Sequence, residues 1–517
     1  MRLHVLGLIM NRSILNRTCV LLALCSAALA GCGADSESLQ ADASVSPPDT
    51  AAPLDSKPDP FPVADAALDT AAGTAIDAAA DAPIDAVLDT SVDATADTMS
   101  GATGDTIADT APSLDFGVAA SSIPRIADPQ VPAADIATLA SDNAAFAFAA
   151  YQKLAATTDN LVYSPASLSI ALAMTFAGAA GTTASEMAQA LHFTLPPARL
   201  HPAFNALDQT LASLEEGYPG ADGGPMRLRI VNSLWAEETY AFKSDFLATL
   251  AANYGAGVNL VDFINAPDQS RITINDWVAG QTENKIQELF SDGMIDAFTR
   301  LVLTNAIYFN ARWERGFDPI ETRDGWFTLR DGGQVKTKFM NGDLARLPAL
   351  HGTNFQAVSL PYANPRLSMV VVVPDTGQFS QVESSLDANA LTTMVTGMNA
   401  QAVALTLPRF RIETGMDLVR LLKALGMTSA FAPGDADFSG MDGTGGLYIA
   451  YVMHKTYIDV GENGTEAAAS TGVVMEDGGM YQVDMSVSAD RPFLYFVRDQ
   501  PTGAILFMGR VLDPSKT

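Results

Sequence analysis

Cysteine is nearly missing from the sequence. The 517 residues hold three, Cys19, Cys25 and Cys32, all within the first 32 positions. The rest of the chain therefore has no internal disulfide, no thiolate metal site and no cysteine nucleophile. A chain without such staples must be held by its core, which its length permits because the buried fraction rises with size. Histidine is scarce too: His4, His192, His201, His351 and His454 are far apart, and no HExxH pair exists to hold zinc. The chain has no GxSxG elbow, no GxxxxGK[ST] phosphate loop and no GxGxxG after a strand. Hydrolase, nucleotide and metal chemistry thus leave no local signature, and no metal or cofactor is expected. A hydrolytic triad drawn from distant residues would leave no spacing signal and stays open. Positive charge is also short: 30 Lys and Arg against 59 Asp and Glu give a net charge of −29, which opposes nucleic-acid binding.

What is present begins with an export pattern. Arg2, Arg12 and Arg17 precede an apolar run from Val20 to Ala30, too short to span a membrane comfortably. The run ends in Leu29-Ala30-Gly31-Cys32, which resembles a bacterial lipobox. In that reading residues 1–31 are removed and Cys32 is lipidated, so the expected location is the cell membrane or outer membrane, with the domain facing the periplasm or extracellular space. An ordinary secretory signal that contains cysteine is the alternative, and Met10 is an alternative start.

From Gly33 to about Ala120 the composition shifts to Ala, Asp, Thr, Ser and Pro with almost no aromatics. Asp77, Asp81, Asp85, Asp89, Asp93 and Asp97 recur every fourth residue, so a helix would stack like charges along one face. A self-repelling linker is expected over 32–135, ahead of a folded domain at 136–517. A calcium-binding repeat is the sharper alternative, but the tract lacks the glycine turns and varied oxygen ligands of such loops.

Beyond Ser141 the chain reads as an ordinary globular mixture. Ser141-Asp142-Asn143 predicts a helix cap ahead of Phe148, Tyr151 and Leu154. Ile274, Trp277 and Val278 predict a second helix. Leu418, Leu421, Leu422 and Leu425, stopped at Gly426, predict a third. Apolar β-rich runs lie at 228–235, 300–309, 367–373, 402–410, 448–460, 493–497 and 504–512. Helices cluster early and strands late without regular alternation, which predicts α+β with mixed or antiparallel sheets.

One stretch near the C-terminus, GENGTEAAASTGVVMEDGGMY at 461–481, reads most simply as a short Ala-rich helix capped by Asn463 or Thr465. Its context suggests more. NLVYSPASLSIALAMTFAGAAGTTASEMAQALHF (160–193), VNSLWA (231–236), LVLTNAIYFNARWERGFDP (301–319), FSGMDGTGGLYIAYVMHKTYIDVGENGTEAAAS (438–470) and ADRPFLYFVRDQPTGAILFMGRVLDP (489–514) resemble the serpin family, in the family's order and over the whole of 141–514. The resemblance implies an α+β fold with three β-sheets and about nine helices. It also implies an exposed reactive-centre loop between a strand ending near Val460 and another starting near Arg491. The implied activity is suicide inhibition of serine, or cysteine, endopeptidases by acyl-enzyme trapping and loop insertion. A serpin-shaped carrier or surface-binding protein is the alternative.

The residues suit insertion. A strand entering a closed sheet needs small inward side chains and no proline, because every ladder hydrogen bond must be made. With side chains alternating, Thr465, Ala467, Ala469 and Thr471 share one face, and Glu466, Ala468 and Ser470 the other. Glu462, Gly464, Thr465, Glu466, Ala467, Ala468 and Ala469 match the family's inhibitory hinge, while Gly461 and Asn463 depart from it. By the same resemblance Ser164, Ser167, Asn305 and His454 match the polar cluster that governs sheet opening, and Trp313 the tryptophan where insertion begins. Their plain reading is as core residues, and the two readings are compatible. The family's spacing puts the reactive bond at Gly478-Gly479, with Met475, Met480 and Tyr481 as alternatives. No Lys or Arg occurs between Thr456 and Asp490. The expected partner is therefore an elastase-, subtilisin- or chymotrypsin-like protease rather than a trypsin-like one, with a glutamate-specific enzyme left open by Glu476 and Asp477. A monomer is expected, touching the membrane only through its lipid.

Overall fold

A computed structural model describes residues 116–466 and 482–516. Cys32, Ala467, Ala468, Ala469, Thr471, Met475, Gly478, Gly479, Met480 and Tyr481 lie outside the described residues, as do the export signal and the Asp repeat.

In chain order the strands are β1 (Gly117–Ala119), β2 (Leu161–Tyr163), β3 (Arg227–Glu237), β4 (Val258–Val261), β5 (Leu301–Arg312), β6 (Arg323–Thr328), β7 (Gln334–His351), β8 (Phe355–Pro361), β9 (Leu367–Pro374), β10 (Asn399–Pro408), β11 (Phe410–Asp417), β12 (Ile449–Gly461), β13 (Gly464–Thr465), β14 (Met485–Ser488), β15 (Phe493–Asp499) and β16 (Ile505–Val511). The helices are α1 (Ala133–Leu154), α2 (Pro165–Phe176), α3 (Gly181–Ala190), α4 (Pro197–Ala212), α5 (Ser244–Tyr254), α6 (Pro267–Gln281), α7 (Phe379–Ser385), α8 (Ala388–Gly397), α9 (Val419–Ala424) and α10 (Ser439–Asp442).

Two sheets organise these elements. The first runs β1-β4-β3-β5-β13-β12-β11, and the second β14-β10-β7-β8-β9-β15-β16-β2 with β6 on β7. The long β7 explains why an expected third sheet is not separate: its residues 334–339 pair β6, residues 339–349 pair β10 and residues 349–351 pair β8, so these neighbours join one sheet through it. Its sequence alternates poorly and contains Gly342 and Pro348, so it gave no strand signal.

Burial follows the strand period of two. In β5, Leu301, Leu303, Ile307 and Phe309 enter the main core, while Val302 and Ala306 join a second cluster on the opposite face. That outer face is covered by Ile274 and Val278 of α6 and by Ile286, Leu289 and Phe290 of the segment after it. Helix α2 lies under the inner face and is buried through Thr175, which explains its lack of a polar stripe. Ser164 caps it, and Pro165 occupies the first turn, where its missing N–H costs nothing.

Three expectations are corrected. Helix α1 starts at Ala133, not at Ser141, because AADIATLA is itself helix-forming. Asp142 instead accepts hydrogen bonds from the Thr194 N–H (2.9 Å) and hydroxyl (2.8 Å), and Asn143 from Ser169 (2.6 Å). The second concerns the loop, whose far end is set by β14 rather than Arg491, since Met485 and Val487 turn inward and pair parallel to β10. Upstream, β1 forms the edge of the first sheet, so the compositional boundary at 136 falls inside α1 and leaves β1 on the linker side.

Candidate functional site

The middle of the first sheet is closed below and wedged open above. Strands β5 and β12 pair in parallel from Leu301↔Ile449 to Ile307↔Thr456. Above that rung their direct ladder stops, and β13 sits between them, antiparallel to both: Thr465 faces Ala311 on β5 and Val460 on β12, and Gly464 faces Arg312 and Gly461. The chain thus leaves β12 at Gly461, turns through Glu462 and Asn463, and comes back as a two-residue strand in the mouth of the sheet.

Each hinge residue is held by a distinct contact. Glu462 is buried, accepting from Arg409 Nε at 2.8 Å and from the Thr322 hydroxyl at 2.5 Å, while its carbonyl accepts from the Phe317 N–H at 2.9 Å. Burial pushes its pKa up, but the Arg409 and Thr322 hydrogen bonds outweigh this and hold it below the usual carboxylate range. Trp313 fixes the turn twice, donating from Nε1 to the Gly461 carbonyl (3.0 Å) and from its backbone N–H to the Asn463 carbonyl (2.8 Å). Gly464 has φ +154°, and a Cβ there would lie 2.1 Å from the Ala311 carbonyl oxygen, so only glycine fits. Thr465 is fully buried, its hydroxyl 2.6 Å from the Tyr362 hydroxyl, and Tyr362 stacks on Trp313 with ring centroids 4.4 Å apart. Glu466 is the last described residue here. Its φ of +60° lies in the left-handed region, uncommon for glutamate.

Lower in the same seam a polar rung crosses three strands. Asn232 on β3 pairs with Asn305 on β5, and Asn305 pairs with His454 on β12. The N-terminus of α2 lies against them. The Ser164 N–H can only donate, so His454 Nε2 accepts it at 3.0 Å and the ring proton is on Nδ1, donated to Asn305 Oδ1. Asn305 Nδ2 then donates to Ser167 Oγ at 2.5 Å and to Asn232 Oδ1, while Asn232 Nδ2 donates to the Ser167 carbonyl at 3.2 Å. Complete burial pushes the His454 pKa down to about 3, and a proton on Nε2 would point at the Ser164 N–H. The ring is therefore a neutral structural group at pH 7.

Ser164, Ser167, Asn305 and His454, spread across 290 residues of sequence, thus meet in one network, while Trp313 stands beside Glu462, Gly464 and Thr465 at the mouth above. Sequence reasoning missed Asn232, Tyr362, Arg409 and Thr322. Only Asn232 left a signal: it is a polar residue on the inward side of a strand that otherwise buries Leu228, Leu234 and Ala236 there.

The comparisons agree with this architecture. The family profile described as Serpin (serine protease inhibitor) matches residues 141–514. A leukocyte elastase inhibitor of Equus caballus is 38% identical over 368 residues, covering 69% of this chain and 94% of that protein. An uncharacterised serpin-like protein of Thermococcus kodakarensis is 36% identical over 371 residues, covering 71% of this chain and 84% of that protein. Among solved structures, the thermophilic serpin tengpin in its native state superposes with a TM-score of 0.68 at 28% identity, covering 77% of this chain and 99% of that one. With the family's profile spanning most of its length and its central sheet closed around a wedged hinge, the chain belongs to the serpin family, and by that family it is a protease inhibitor rather than an enzyme.

Proposed function

We propose that the chain is an irreversible suicide inhibitor of serine endopeptidases, cleaved in the segment after Glu466 and trapping the protease as its acyl-enzyme. The observation that carries this reading is the seam itself: β5 and β12 are joined below Ile307↔Thr456 and separated above by a hinge already one side chain deep. The register gives the path. Continuing β13 antiparallel to both neighbours, Ala467 would meet Phe309 and Ile458, Ala469 would meet Ile307 and Thr456, and Thr471 would meet Asn305 and His454. Insertion must therefore separate the Asn305–His454 rung, which makes that hydrogen-bond network the lock on the sheet.

Cleavage frees the upstream half of the loop from β14, and the freed segment completes the ladder hydrogen bonds of two strands. The bound protease is carried with it. A deformed triad and oxyanion hole cannot finish deacylation, which requires sub-ångström order. The uncut state persists because the barrier is high, not because it is the deepest minimum.

The target class proposed is elastase-, subtilisin- or chymotrypsin-like. The absence of Lys and Arg between Thr456 and Asp490 supports it, and the relatives named leukocyte elastase inhibitor agree with it. Lipidation at Cys32, the linker upstream of β1 as tether and a monomeric state complete the proposal. Incubation with elastase, subtilisin, chymotrypsin and trypsin, followed by boiling in detergent, tests it. The expected result is a covalent adduct with at least one of the first three and none with trypsin. Cleavage of the loop by all four without any adduct would support the carrier reading.

A further inference from the structure

The hinge carries a charge that the insertion path does not require. Glu466 is an acidic residue at the mouth of the sheet, its side chain only 8% exposed, and its carboxylate is paired with Lys285 Nζ. A carboxylate so buried is costly unless a cation stays beside it. Lys285 comes from outside the sheet, four residues past the end of α6. The segment presenting it is fixed. Glu283 and Asn284 both adopt positive φ, at 51° and 60°. The Asn284 N–H donates to the Ala279 carbonyl (2.8 Å) and the Lys285 N–H to the Thr282 carbonyl (2.9 Å). The Ile286 N–H donates to the Thr282 hydroxyl at 3.3 Å, and Glu283 pairs with Arg227 of β3 at 3.2 Å. Two residues held left-handed and pinned on both sides deliver one ammonium to one carboxylate.

We propose that Lys285 is a positioning residue for loop insertion: by pairing with Glu466 it holds Thr465 in the mouth of the sheet and sets the register in which the cut loop enters. This rests on the inhibitory reading above and names a residue that governs its efficiency. The parity of the strand explains why the pair serves both ends of the motion. Glu466 precedes Ala467 on the outer face, opposite Asn310 in the continued register, and the outer face is the one covered by α6 and the segment containing Lys285. The ammonium therefore meets the carboxylate before cleavage and stays with it as the residue straightens from φ +60° into a strand. Inhibition is a race between insertion and hydrolysis of the acyl bond, so a hinge already in register commits more encounters to trapping.

Two measurements on the full chain test this. In hydrogen exchange of a peptide spanning 461–466, without protease, Lys285→Met is expected to exchange about ten-fold faster than wild type, because the uncompensated Glu466 leaves its site. Lys285→Arg should keep slow exchange. In titration against elastase, Lys285→Met should need about two-fold or more inhibitor per enzyme inactivated, with cleaved chain as the extra product, and the double variant Lys285→Glu/Glu466→Lys should recover part of the loss. Unchanged exchange in Lys285→Met overturns the proposal whatever the protease result. If wild type forms no adduct with any protease, the inhibitory reading fails, while the exchange result still decides whether Lys285 holds the hinge.

Discussion

His454 and Gly464 are the residues whose roles follow most directly from their surroundings. His454 is held neutral with its pKa near 3 against an ordinary 6.5, and His201, buried against Tyr254, is pushed down to about 4. A folded-state pKa below the unfolded value means that the unfolded chain binds the extra proton. The contribution of each ring is thus complete above pH 6.5 and falls as the pH drops toward its folded value, by up to about 1.4 kcal/mol per pH unit. Thermal midpoints measured from pH 8 to pH 4.5 should be flat above about 7 and then descend, and His454→Gln should remove one of the two contributions to the slope. Glu462 adds a separate loss at lower pH, since its depressed pKa makes its stabilisation fail only as pH falls below the ordinary 4.5. Gly464→Ala places a methyl on the Ala311 carbonyl, and relief requires the hinge to move. A loss of about 1–3 kcal/mol in urea unfolding is expected, against a gain of about 0.5–1 kcal/mol for Gly280→Ala inside α6, where a Cβ meets nothing and alanine is the better helix former.

At the scale of elements, what the sequence made legible is uneven for physical reasons. Strands that are long apolar, β-branched runs because both faces are covered, such as β5 and β12, and helices with a local apolar set at helical spacing, such as Ile274, Trp277 and Val278 of α6, could be read from the sequence. The start of α1 could not, because Asp142 and Asn143 look like caps but serve distant partners. Nor could β14, four residues long, or β7, which bends from one set of neighbours to another. The polar rung could be gathered only through family resemblance, since Ser164 and His454 lie 290 residues apart and no spacing rule joins them. Lys285 and Arg409 left no trace, being ordinary surface-like cations until the hinge folds against them. The element most exposed to test is β13. Thr465→Arg would force an ionised side chain into a fully buried position between Ala311 and Val460. The variant should fold, because the displaced hinge can remain in solvent, but proteases should cleave it as a substrate and leave no detergent-stable adduct.

For the whole molecule the account is one of stored free energy. The first sheet has a completed lower seam and an upper seam in which, among the described residues, Gly464 and Thr465 form the inserted strand, so a further strand has both its partners already in place. The described residues contain no disulfide to limit that rearrangement, since every cysteine lies within the first 32 positions. The main core and the outer-face cluster beneath α6 meet along β5 and β12, so widening the sheet shears both at once, which supplies the barrier. Thermal unfolding before and after a single cut in the 467–481 segment measures the difference between the two states. The account predicts that the cut chain, its fragments still associated, melts at least about 10 °C above the uncut one, several kcal/mol for a domain of this size. A midpoint that stays the same or falls after cleavage would contradict it.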